Sequence, residues 1–189
     1  MGIEIASASD NVSGTMIMNS KPTEQASAKG VYSLKCFDKD GNLKWEDTIP
    51  NLVVNVGLQY MTGAALYGTT PITSWFLGLY GAGASNTPAG SDTLAIHPGW
   101  TEITPYGGVR PTCVFGAPTS ANPSVITNSG SPAAFNINAT ATVGGAFLCS
   151  ANSGTSGTLF SASDFTGGDR NVVSGDTLQV TYTFSLTGT

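Results

Sequence analysis

The amino-acid sequence predicts an all-β chain: an antiparallel β-sandwich or jelly-roll-like domain with one short amphipathic helix and an extended N-terminal arm. Three observations lead there. Apolar residues take alternate positions at Phe135, Ile137, Ala139, Ala141 and Val143, and again at Leu178, Val180, Tyr182, Phe184 and Leu186, the period of half-buried antiparallel strands. Gly (24), Ser (20) and Thr (24) fill 68 of the 189 positions, so turn residues cut the chain into short segments. A single stretch, near 54–66, carries helical spacing instead. A chain of this length makes one domain, or a domain plus an appendage, able to bury roughly 70% of its unfolded surface.

Residues 1–29 are small and polar without a sustained period, too poor in apolar area to offset their ordering entropy, and are expected to form the arm. The sandwich domain is expected over 30–189. It opens with a hairpin over 31–48, in which Asp38-Lys39-Asp40-Gly41-Asn42 makes the turn and Gly41 supplies its positive φ. The same run echoes a calcium loop but lacks the downstream carboxylates. Val54, Leu58, Met61 and Ala65 then fall four, three and four apart, with Asn51 or Asn55 as candidate N-cap. Gly57 costs that helix about 1 kcal/mol, so packing has to hold it. Strands are expected at 74–80, 110–117, 135–143, 145–150, 158–162 and 178–186, giving eight to ten in all.

Charge is scarce and uneven. Seven Lys and Arg face twelve Asp and Glu for a net of −5, and residues 1–47 hold twelve of those nineteen charges. Beyond Thr48 the surface must be largely Ser, Thr, Asn and Gly, which suits a body packed against copies of itself or a larger assembly better than a free monomer. Five lysines and two arginines, interrupted by acids, are too few for phosphate neutralisation, so no nucleic-acid partner is expected. No apolar run reaches the roughly 18 residues that span a bilayer, and no membrane partner is expected. Cys36, Cys113 and Cys149 stand 77 and 36 residues apart, which fits neither a disulfide framework nor a zinc site. They read as small buried hydrophobes.

Catalytic motifs are equally sparse. Asp92, the only histidine His97, Trp100 and Glu102 share one segment, but a hydrolytic metal site takes three protein ligands, and neither a nucleophile elbow nor a phosphate loop is present. The expectation is a loop histidine held by its neighbours, with no enzymatic activity, no metal and no cofactor. Trp45, Trp75, Trp100, Tyr67, Tyr80 and Tyr106 could stack on sugars, against the plainer reading that they fill the core. Trp75, Trp100, Tyr182 and Phe184 are assigned structural roles. So is Arg110, which, like Arg170, sits in a region with five acids and is expected to have a fixed carboxylate or backbone partner.

Several strings of this sequence are familiar together: Lys44-Trp45-Glu46, Asn51-Leu52-Val53-Val54-Asn55-Val56-Gly57-Leu58, Trp75-Phe76-Leu77-Gly78-Leu79, Ser91-Asp92-Thr93, His97-Pro98-Gly99-Trp100-Thr101-Glu102, Tyr106, Arg110-Pro111, Phe135-Asn136-Ile137, Gly145-Ala146-Phe147-Leu148 and Gly175-Asp176-Thr177-Leu178. From about Val31 to Leu186 the chain resembles small virion proteins of tailed bacteriophages, similar to head decoration (cement) proteins. The resemblance implies a β-domain on the outer surface of the capsid, made in the host bacterial cytoplasm. Its implied partners are the major capsid protein and copies of itself, as a dimer or trimer. Lys21, Lys29, Lys35, Lys39 and Lys44, the arm and the charged hairpin are the candidate shell contacts. The rival expectations are a tail- or fibre-associated structural protein and a carbohydrate-binding adhesin module.

Overall fold

Two antiparallel sheets form in the computed structural model, which describes residues 25–83 and 87–188. The strands are β1 (Ala26–Phe37), β2 (Leu43–Pro50), β3 (Leu52–Val53), β4 (Phe76–Gly81), β5 (Glu102–Ile103), β6 (Ser124–Thr127), β7 (Ala133–Asn136), β8 (Ala141–Cys149), β9 (Leu159–Asp164), β10 (Arg170–Val172) and β11 (Thr177–Gly188). The helix α1 (Asn55–Thr62) runs on into a π-helical turn, Gly63–Tyr67. The first sheet runs β2-β1-β11, with β6 and β7 sharing the far side of β11; the second runs β3-β9-β8-β4-β5, with β10 beside β8. The chain is an all-β sandwich, as its periodicity predicts. Among the described residues no helix is long and apolar enough to cross a membrane.

Period two explains the first sheet directly. Tyr32, Leu34 and Cys36 of β1 and Leu178, Val180 and Tyr182 of β11 turn inward and are buried, in register as Tyr32↔Tyr182, Leu34↔Val180 and Cys36↔Leu178. They pack on Leu77 and Leu79 of β4, Ala146 and Leu148 of β8 and Phe160 of β9. The second sheet is buried on its other face too. There Tyr80, Phe147, Cys149, Leu159 and Ala162 are covered by Val54, Leu94 and Trp100. Glycine makes this second layer possible: a Cβ at Gly78 would sit in the Phe147 ring, and one at Gly145 would meet the Tyr80 ring. Each ring therefore lies across its neighbour's backbone.

Four expectations need correction. The first strand starts at Ala26, inside the expected arm, because residues 26–29 continue the backbone ladder with Ser185–Gly188 of β11; the rest of the arm, with Lys21, lies outside the described residues. The run 135–143 is two strands rather than one. Phe135, Ile137 and Val143 all reach one core because β7 in the first sheet and β8 in the second feed it, and the chain crosses between them over 137–140, where Ala139 is exposed and the Ile137 and Asn138 N–H groups bond Asp176 and Pro105 carbonyls. Most of β8 is buried on both faces, not one. The segment 110–117 is no strand but a loop with one bridge, Thr112↔Phe76, because Pro111 has no N–H for a ladder.

The helix is where its spacing puts it, with a different buried face. Leu58 and Ala65 are exposed, whereas Val54 and Gly57 are buried and Tyr60 and Met61 half-buried. Gly57 sets this face: its Cα lies against the Phe160 backbone, where a Cβ would strike the carbonyl oxygen. Val54 takes the N-cap position without a side-chain bond, in place of Asn51 or Asn55.

Candidate functional site

Four of the five candidate lysines can be placed, and they divide. Lys29 and Lys35 are exposed on the outward side of β1, and Lys35 Nζ lies 3.3 Å from Glu46 Oε2 across the hairpin. Lys39 is exposed in the β1–β2 turn, 2.9 Å from both carboxylate oxygens of Asp40. Pairs this exposed contribute little to stability and remain open to a partner. Lys44 instead reaches the buried Asp176, Nζ to Oδ2 2.5 Å, and so ties the hairpin to the turn before β11. Asp176 Oδ2 also accepts the Val173 N–H at 2.9 Å and lies 3.7 Å from Cys36 Sγ. Burial pushes the Asp176 carboxyl up, but the Lys44 ammonium and the Val173 N–H outweigh it and hold the group below its ordinary value.

The turn itself is built on Asp38. Its Oδ1 accepts the N–H groups of Asp40 and Asn42, each at 2.9 Å, and the Asn42 side-chain and backbone bonds draw its pKa down. The carboxylate that suggested a calcium loop closes an Asx turn.

The segment from Asp92 to Glu102 resolves into two structural clusters. His97 stacks on Trp100, ring centroids 3.8 Å apart, with Nδ1 2.8 Å from the Trp100 carbonyl oxygen. Trp100 Nε1 donates to Asp92 Oδ2 at 2.9 Å, and the same oxygen accepts the Ala89 N–H. Glu102 belongs elsewhere, receiving a fork from Arg110: Nε to Oε1 2.7 Å and Nη2 to Oε2 2.6 Å. Arg110 is 2% exposed; it also donates to the Ala151 and Gly154 carbonyls and lies over the Phe147 ring. Arg170 pairs with Asp47 at 2.7 Å. Both arginines thus have fixed partners, a carboxylate and backbone carbonyls in each case, where the sequence leaves the two kinds open. Among the described residues no three His, Cys, Asp or Glu side chains are grouped to hold a metal.

The four aromatics assigned to structure all pack in the domain. Trp75 stands between Tyr60 and Phe160, 5.4 Å from each ring, and Phe184 packs on Phe160 at 5.4 Å. Trp100 closes the second core. Tyr182 packs on Tyr32 with the rings tilted at 40° and their centroids 4.6 Å apart, and its hydroxyl accepts the Asn51 amide at 2.7 Å and lies 3.3 Å from Ser161 Oγ. Sequence reasoning missed Asn128, whose buried amide bonds Tyr182 N–H and Val180 C=O and fastens the loop after β6 to β11; its Thr-Asn-Ser-Gly setting reads as an ordinary turn. Of the six aromatics in the sugar-stacking set, only Tyr67 is exposed.

Burial raises the thiol pKa values, to about 11 for Cys36 and about 12 for Cys113. All three cysteines are free and buried and belong to the packed cores, as the sequence predicts. No protein-family model, curated protein or solved structure matches the chain.

Proposed function

We propose that this chain is a bacteriophage virion structural protein, a head decoration (cement) protein that binds the major capsid protein on the outer face of the shell and stabilises it. The observation that carries the reading is the polarity of the surface. Lys35 and Lys39, with Asp40 and Glu46, are exposed on the β1–β2 hairpin at the edge of the first sheet, and Lys29 is exposed further back along β1, opposite Ser185, while residues 48–189 hold only seven charges. Four of those seven, Arg110, Glu102, Arg170 and Asp176, are tied into ion pairs of the fold. What remains is a charged edge on an almost uncharged body.

Such a body suits a lattice. Identical weak contacts repeated over a shell add up to firm attachment without a large interface at any one copy, and a neutral Ser/Thr surface lets neighbours sit close without like-charge repulsion. The strand next to that edge, β1, is also the strand that residues 1–24 lead into. The test is co-sedimentation of the purified protein with capsid shells, wild type against Lys29→Glu/Lys35→Glu/Lys39→Glu. Saturable binding weakened at least tenfold in the triple variant, with melting unchanged, is the expected result. Absence of saturable binding, or equal binding by the variant, would count against the reading.

A further inference from the structure

The end of α1 carries a feature the virion reading does not use. The helix widens into the π-helical turn Gly63–Tyr67, closed by Gly68 at φ 77°, a geometry concentrated at functional positions. The widened turn leaves Leu66 and Tyr67 88% and 89% exposed, although neither is needed by the core. Beside them opens a cleft of about 720 Å³, lined by both of them together with Val56, Gln59, Tyr60, Thr69, Thr93 and Thr158, and with no charged side chain on its wall among the described residues.

We propose that this cleft binds a neutral saccharide. The volume falls in the range of small-molecule sites, and the lining selects the chemistry. Without a cation or a carboxylate it offers nothing to a phosphate, a sialylated sugar or a basic peptide. The Tyr67 ring presents a flat face with negative quadrupole, which attracts the C–H groups on one side of a pyranose. The Gln59 amide and the Thr69 and Thr158 hydroxyls make no hydrogen bond to other described side chains or backbone, and together they offer donors and acceptors to vicinal hydroxyls. A purely apolar occupant would cover those groups without satisfying them. Tyr60 is fixed from behind, its hydroxyl accepting the Ile72 N–H at 2.8 Å while its ring packs on Trp75, so one wall is held rigid. None of the exposed candidate lysines lines the cleft, so its residues are separate from those proposed for shell attachment.

The experiment is saturation-transfer NMR on the full chain with maltotriose, cellotriose, chitotriose and mannotriose, and with sialyllactose and a heparin oligosaccharide as charged counterparts. Transfer to at least one neutral trisaccharide, lost in Tyr67→Ala and about tenfold weaker in affinity in Gln59→Ala, is expected. Both side chains are exposed, so the two variants should melt as wild type does. Silence from all four neutral sugars, equal transfer to the charged ones, or binding that survives Tyr67→Ala would overturn the proposal. So would sedimentation showing a dimer that Leu66→Ser or Tyr67→Ala dissociates, because the patch would then belong to a second copy.

Discussion

Replacing Glu102 by glutamine leaves the Arg110 guanidinium charged, buried and without its counter-ion. The two partners are unequally sheltered: the arginine side chain is 1% exposed and the glutamate 23%. Breaking a buried pair from one side costs about 3–5 kcal/mol, because the remaining charge is uncompensated. Glu102→Gln should fall in that range, whereas Arg110→Met should cost about 2–3 kcal/mol, since the glutamate can recover water and the loss is the fork plus the bonds to Ala151 and Gly154. The double variant should cost less than the sum of the two. For a chain of 189 residues, about 3–5 kcal/mol lowers Tm by about 6–20 °C. Urea unfolding of wild type, both single variants and the double variant measures the cycle. The differences should persist in 1 M salt, where exposed pairs are screened. A Glu102→Gln protein within about 0.5 kcal/mol of wild type, or strictly additive variants, would mean that Arg110 does not depend on Glu102 for its charge to stay buried.

Three further outcomes are expected. Tyr182→Asp should abolish soluble expression, because a buried unpaired carboxylate costs several kcal/mol against a total of about 5–15, while Gln179→Lys and Thr183→Lys on the outward face should leave melting close to wild type; equal loss in both sets would contradict the one-sided burial of β11. Asp176 has a folded pKa below its unfolded value, so its contribution is full above the unfolded carboxylate pKa of about 3.9 and is lost as pH falls through the folded value; melting curves should show the gap between wild type and Asp176→Asn shrinking on acidification, and a gap that widens instead would reverse the sign. Gly57→Ala should destabilise despite alanine's advantage of about 1 kcal/mol in a helix, because its Cβ strikes the Phe160 carbonyl; a more stable variant in thermal melting would mean that α1 does not sit this close to β9.

Much of the architecture is legible in the sequence, and the physical reason differs by element. The outward and inward faces of β11 follow from period two over Leu178–Tyr182, although Leu186 at its end is exposed, and the rarity of charge says that Arg110 and Arg170 take a fixed carboxylate or backbone partner without saying which. The helix location is legible but its buried face is not: spacing weighs apolar side chains, whereas α1 is seated by the absence of one, at Gly57. The crossing between β7 and β8 is hidden for a related reason, because alternation records which residues face the core and not which sheet carries them. The Lys44–Asp176 pair, 132 positions apart, leaves no local signature, and Lys44 therefore reads from sequence like the other hairpin lysines. The π-helical turn is spelled Gly-Ala-Ala-Leu-Tyr, which serves an ordinary helix equally well.

Reconstruction of the phage particle in which this chain is proposed to sit decides whether it is a head decoration protein. A repeating density on the outer shell is expected, sized for a domain of 19.3 kDa, with the β1–β2 hairpin and its exposed Lys35 and Lys39 turned toward the major capsid protein. Density for this domain confined to the tail, or a shell whose surface is fully accounted for by the major capsid protein, would contradict it.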